Sequence, residues 1–163
     1  MPDARSHLPA PLRAPIRSLD AVIRVRGEDT AGALAVIEHV IPPGTVSMPV
    51  HRHTRETETL LVQEGTLTLK VDGRVLRVEP GSWVALPPGV AHTLWNSSKR
   101  PTRFLAMYAP AGIEKFYEEV SAVIPAQGTV EIERVLEVSI RYGLEFDMPS
   151  LLDIIERYDV KLV

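Results

Sequence analysis

From about Ala21 to Ala109 the chain is a succession of short apolar runs rich in Val, Leu and Thr. They are cut by PPG at 42–44, EG at 64–65, DG at 72–73, PG at 80–81 and PPG at 87–89. Runs of this length between Gly and Pro breaks predict β-strands, and their number predicts an all-β barrel or sandwich. The clearest hairpin is LTLKVDGRVLRV, residues 67–78. Its apolar residues alternate on both sides of Asp72-Gly73, a pair suited to the positive φ angles of a two-residue turn. Beyond Pro110 the period changes. GIEKFYEEVSAV (112–123), VEIERVLEVSIRYG (130–143) and PSLLDIIERY (149–158) predict three helices, the second with Ile132, Val135, Leu136 and Ile140 on one face and the third opened by Pro149. The expected organisation is a Pro/Arg-rich N-terminal arm over 1–18, a β-barrel over 19–110 and a C-terminal helical extension over 111–163. No internal repeat of fixed period is evident.

Residues 51–58, HRHTRETE, interrupt the apolar runs with two histidines and two carboxylates. Positions two apart share a face of a strand, so His51 and His53 point the same way; in a helix they would diverge by roughly 200°. Glu58 lies five residues past His53, the wrong parity for one unbroken strand, so Thr54 to Thr57 must bend and start a new one. Glu58, Leu60 and Val62 then share its inner face. His92, in PPGVAHTLWN, opens another strand after a Pro-Gly turn. Three imidazoles and a carboxylate from separate strands are thereby able to meet inside a barrel, although the octapeptide alone also reads as a charged loop that contains histidine.

Composition narrows the chemistry. A chain of 163 residues, 45% hydrophobic and 24% charged, suits one globular domain with a real core. A net charge of -3 without a long basic run gives no footprint for nucleic acid or anionic lipid, and no basic recognition helix is evident. The expected partner is a small-molecule substrate. Because there is no cysteine, a metal must be held by imidazole and carboxylate, which excludes zinc-finger chemistry. The first eighteen residues have no continuous apolar stretch and resemble neither a secretory signal nor a membrane span, so a cytoplasmic location is expected.

The stretch GTVSMPVHRHTRETETLLVQEG, Gly44 to Gly65, resembles the first motif of the cupin superfamily, G(X)5HXH(X)3-4E(X)6G. GSWVALPPGVAHTLWN, Gly81 to Asn96, matches the second, G(X)5PXG(X)2H(X)3N, without a gap. One departure stands out: six residues, not five, separate Gly44 from His51, which places an irregularity in the turn before the first histidine. The resemblance implies a mainly β fold, the cupin double-stranded β-helix or jelly-roll barrel. It also implies one divalent transition metal per chain held by His51, His53, Glu58 and His92. The tail from YAPAGIEKFYEE onward looks like the helical extension of single-domain cupins labelled quercetin-dioxygenase-like.

Other candidates have narrower expectations. Glu56 is too close to His53 for the motif and is expected to be solvated. His39 has the opposite parity to Leu34 and Val36, which predicts a surface or hydrogen-bonded histidine and not a fifth ligand; His7 lies in the arm. Asn96 shares parity with His92 and Leu94 and is expected to serve the strand end. Trp83, Trp95, Phe104 and Tyr108 are candidates either for a pocket wall or for ordinary packing. Phe116 and Tyr117 either cover the barrel mouth or pack on the outer sheet.

Three neutral imidazoles and one carboxylate suit Fe, Mn, Ni, Co, Cu or Zn and leave about two of six positions open. By analogy with the fold, the expectation is a metal-dependent dioxygenase-like enzyme whose small, aromatic or enolisable substrate chelates the metal, with Glu58 as both ligand and general base. The alternatives are an oxygen-independent metal-assisted isomerase or cyclase, and a non-catalytic small-molecule-binding cupin. Exposed barrel edges together with the resemblance favour a homodimer.

Overall fold

A computed structural model of the chain describes residues 21–124 and 130–163; the expected arm, with His7, lies outside the described residues. Strands β1 (Ala21–Val25), β2 (Ala35–Ile41), β3 (Thr45–Val46), β4 (Val50–His53), β5 (Thr57–Glu64), β6 (Leu67–Val71), β7 (Arg74–Val78), β8 (Trp83–Leu86), β9 (His92–Asn96) and β10 (Thr102–Ala109) form two facing sheets. One has the order β1-β2-β10-β5-β8, antiparallel throughout. In the other, β9 is central, with the β6–β7 hairpin on one side and the two short strands β3 and β4 in series on the other. This is the mainly β barrel that the apolar runs predict, in the jelly-roll form that the cupin resemblance implies.

Strand alternation builds the core. Along β10, Thr102, Phe104, Ala106 and Tyr108 are buried while Arg103 and Ala109 are exposed, and along β5 Glu58, Leu60 and Val62 face inward as the parity requires. Ile37, Leu60, Val62, Leu67, Leu69, Leu94 and Phe104 belong to one cluster between the sheets. Burying each such side chain contributes roughly 1.5–3 kcal/mol, and truncating fully buried Leu60 to Ala should cost about 2–5 kcal/mol. At the hairpin Asp72 and Gly73 have φ of 45° and 81°, and Val71 pairs with Arg74 across them. The extra residue before His51 is absorbed by a break in the strand at Ser47–Pro49. Pro49 has no N–H for a ladder, and Thr93 Oγ1 donates to the Met48 carbonyl at 2.8 Å instead.

The tail holds three helices near the predicted positions, α1 (Ile113–Val123), α2 (Ile132–Arg141) and α3 (Pro149–Tyr158). It also contributes two strands that the pattern did not predict. β11 (Leu144–Asp147) runs antiparallel to β4, with Leu144 opposite His53 and Phe146 opposite His51, and β12 (Lys161–Leu162) runs parallel to β3. The tail is therefore not purely helical; it completes the edge of the strand that carries the two histidines. α1 buries Ile113, Phe116, Tyr117 and Val120, at helical spacing, in the barrel cluster. α2 is rotated from the expected face: Val138 and Ser139 are buried with Val135 packed beside them, while Ile132 and Ile140 are exposed. Small Ser139 permits that approach, its hydroxyl donating to the Val135 carbonyl. α3 packs Ile154 against Val46, Trp95 and Val160 in a second cluster. No helix among the described residues is long and apolar enough to cross a membrane.

Candidate metal centre

His51 and His53 face inward from β4 while Arg52 between them is exposed, as a period of two requires. His92, the first residue of β9, is the cross-strand partner of His51, and Glu58 reaches in from β5 of the facing sheet. The four side chains converge: one ligand atom from each lies within 4.8 Å of all the others. His92 Nε2 is 2.8 Å and His53 Nε2 is 3.4 Å from Glu58 Oε2. None of the four is more than 4% exposed.

Backbone geometry selects the nitrogen that faces the cluster. Nδ1 of His51 lies 3.0 Å from the Pro49 carbonyl and Nδ1 of His92 lies 3.0 Å from the Val90 carbonyl. A carbonyl only accepts, so both Nδ1 atoms carry the proton and both Nε2 atoms are left for the site, the arrangement common to metal-binding histidines. The strand break before β4 and the Pro-Gly turn before β9 supply these two carbonyls, which is what the irregular spacing after Gly44 and the motif Pro87-Pro88-Gly89 accomplish locally.

Electrostatics favour a cation here. Burial, then the neighbouring His92 and His53, holds His51 down to about 3, so that ring is neutral with a free lone pair. Burial also works against a charge on His53, but Glu56 and Glu58 outweigh it and raise the ring to about 9. Glu58 is opposed by burial too, yet its hydrogen bonds and charge interactions with His53 and His92 keep its carboxyl well below the usual range. An anionic carboxylate buried among imidazoles needs positive charge close by, and a dication in place of protons on the Nε2 atoms meets that need. The donor set fits a divalent transition metal.

Glu56 departs from expectation. It is not solvated but 4% exposed, with Oε2 at 3.5 Å from His53 Nδ1, and neither of these atoms has a hydrogen-bond partner among the described residues. Its parity along the chain gave no sign of this, because the Thr54–Arg55 bend turns it back toward β4.

Glu58 Oε1 faces the other way and accepts from the Tyr108 hydroxyl at 3.1 Å, and that hydroxyl lies 3.2 Å from the Tyr117 hydroxyl of α1. Burial and the charge of Glu58 push both phenols up, so both remain protonated at neutral pH. His39 also turns inward. It is 7% exposed, stacks on Phe104 at 4.9 Å, and is held down to about 4 by burial. It is thus neither a surface histidine nor one hydrogen-bonded to a described residue, and it stands outside the four-residue cluster. His39, Met48, His51, Glu58, Tyr108 and Tyr117 are among the residues that line a cavity of about 10 Å³, the volume of one water-sized group. Of the aromatic candidates, Phe104, Tyr108 and Tyr117 reach this cavity. Trp83 is 60% exposed, Trp95 packs in the second cluster and Phe116 in the first. Asn96 serves the strand end, donating to the Ile41 and Arg100 carbonyls and accepting from Ser98 N.

Two facing antiparallel sheets closed into a jelly roll, with an HxH strand, a glutamate from the opposite sheet and a third histidine after a Pro-Gly turn, define a cupin. Residues 37–108 match the Cupin_2 family model, so the barrel carries a cupin domain. Among curated proteins, germin-like protein 9-2 of Oryza sativa subsp. japonica is 26% identical over 118 residues, which cover 69% of this chain and 51% of that protein. The chain thus spans about half the length of this curated relative. Among solved structures, KdgF from Halomonas sp. superposes with a TM-score of 0.51 at 17% identity, over 58% of this chain and 82% of that one. The Cnp3 cupin domain of Schizosaccharomyces pombe also gives 0.51 at 17% identity, over 58% of this chain and 66% of that one. At such identity these likenesses concern the fold alone.

Proposed function

We propose that the protein is a metal-dependent enzyme of the dioxygenase type, acting on a small enolisable substrate that chelates a divalent metal held by His51, His53, Glu58 and His92. The observation that carries the reading is the convergence of these four buried side chains, of which His51 and Glu58 also line a cavity with further polar walls. Bound there, a transition metal supplies Lewis acidity and, if redox-active, a route for electrons to dioxygen. The chain supplies the rest. Glu58 Oε1, the oxygen turned toward Tyr108, receives the substrate's proton, and the Tyr108 hydroxyl stabilises whichever oxygen carries the negative charge. Phe104, Met48 and Leu94 exclude water. The cavity holds one water-sized group, so even a compact diketone, hydroxyketone or enediol requires wall residues such as Met48 or Tyr117 to move, and a flavonol requires a larger movement.

An oxygen-independent isomerase is the second reading, favoured by the Glu58–Tyr108 contact, which sets an acceptor beside a donor as proton shuttling requires. The test is a screen of such compounds against protein loaded with Fe, Mn, Ni, Co, Cu or Zn, with and without air. Oxygen consumption coupled to product supports the dioxygenase reading, and equal turnover without air replaces it with the isomerase. Tight ligand binding with no turnover under either condition points to a binding protein.

A further inference from the structure

We infer that Glu56 is a positioning residue for the metal: its carboxylate accepts the Nδ1 proton of His53 and so aims the Nε2 of that ring into the site. The inference rests on the proposed metal reading and extends it to a residue at a variable position of the motif.

The three histidines solve the same problem in two ways. His51 and His92 each find an anchor two residues back, at the carbonyls of Pro49 and Val90. Those carbonyls are free because Pro49 lies in the break between β3 and β4 and Val90 lies in the turn before β9. For His53 the residue two back is His51, which is flanked by strands on both sides, opposite His92 on one and Phe146 on the other. Its carbonyl belongs to the ladder, so the local device is unavailable and the anchor must be a side chain.

Glu56 is the group in position. Its Oε2 and His53 Nδ1 are two of only three buried side-chain atoms without a hydrogen-bond partner among the described residues, and they lie 3.5 Å apart. A buried carboxylate oxygen and a buried imidazole nitrogen are each costly to leave unpaired. A movement of about half an ångström, within reach as the ring settles onto an ion, brings them into hydrogen-bond range. The bend that presents Glu56 is held from outside: Thr54 N and Oγ1 both donate to the Gly143 carbonyl, and Gly89 N donates to the His53 carbonyl. Glu56 also changes the charge balance. With Glu58 it brings two negative charges to a site for a dication, and a carboxylate on Nδ1 makes the opposite nitrogen a better donor to metal.

The experiment compares apo wild type, Glu56→Ala and Glu56→Gln for affinity toward Zn(II) by competition with a chelator, and for the nitrogen hyperfine pattern of bound Cu(II) by electron paramagnetic resonance. Glu56→Ala should bind Zn(II) about 10- to 100-fold more weakly and show an altered Cu(II) spectrum. Glu56→Gln, whose amide oxygen still accepts the proton but carries no charge, should fall between the two in affinity and keep the wild-type spectrum. Circular dichroism of the apo forms reports folding, and Glu56→Leu, which fills the space without an acceptor, replaces Glu56→Ala if that variant fails to fold. Wild-type affinity and spectrum in a folded Ala or Leu variant would overturn the role of Glu56 alone; failure of wild type to bind any metal would instead remove the metal reading on which it rests.

Discussion

His51 and His92 face each other directly across neighbouring strands, their ring centroids 4.4 Å apart, although forty residues of chain separate them. Two imidazoles at that distance gain little from each other, but their Nδ1 anchors turn both remaining nitrogens toward Glu58.

The first expectation is stoichiometric. Purified protein reconstituted with metal should hold one ion per chain by elemental analysis, and His53→Ala or His92→Ala should lose most of it. A double variant that retained a full equivalent would mean that the ion binds elsewhere.

Glu58→Gln keeps the size and one coordinating oxygen but removes the charge. Metal binding should weaken, and turnover per bound metal should fall by about 100- to 10,000-fold, the usual cost of losing a general base. Tyr108→Phe removes the donor to Glu58 Oε1 and the contact with the Tyr117 hydroxyl but none of the four proposed ligands, so metal affinity should change little while the single-turnover rate drops. Equal rates per metal in Glu58→Gln and wild type would leave Glu58 a ligand only.

His39 gives the apo protein a pH dependence. Its folded value of about 4 lies below the ordinary 6.5, so between these the unfolded chain takes up a proton that the folded chain does not. Stability from this source is complete above pH 6.5 and is lost as pH falls toward 4, by about 3 kcal/mol in all. In urea denaturation of apo protein, His39→Gln should show a shallower loss over that window by up to one proton. An unchanged slope would place the ring in contact with water or with a compensating charge.

Gly143 has φ +75°, and a Cβ there would collide with Thr54 Oγ1 and approach Arg55 Nε at 3.0 Å. Left-handed backbone alone costs a side-chain-bearing residue roughly 1–2 kcal/mol. Gly143→Ala should therefore lower the thermal midpoint and, because the displaced bend adjoins His53 and Glu56, weaken metal binding as well. A midpoint equal to wild type would show that the bend yields freely.

Assembly can be checked by light scattering. β7 and β8 each pair on one side only among the described residues, and Leu76 and Trp83 on them are 46% and 60% exposed. Exposed edges with large apolar side chains favour pairing with a second copy, and we expect a homodimer. A monomer at micromolar concentration would be the contrary result.

The metal-site candidates were legible because strand parity is strict: once His51 faces in, so does His53, and counting from Gly65 selects Glu58. Parity misleads at His39 because Leu34 and Val36 do not mark the inner face. β2 begins at Ala35, and its buried face is Ala35, Ile37, His39 and Ile41; a one-residue slip reverses every side chain. Glu56 was hidden by a bend, where period-two arguments stop. LEFD and KL are too short to carry a pattern, and only their distant partners β4 and β3 make them strands.

Those two short strands bear on how the protein can be shortened or can misassemble. They occupy the outer side of the interrupted strand that bears His51 and His53, so a chain cut after Tyr142 would leave its N–H and C=O groups unpaired beside the ligand set. Such a strand is a template for pairing with other chains. Proteolysis in the last twenty residues should then bring insolubility and metal release together, although none of the four proposed ligands is removed.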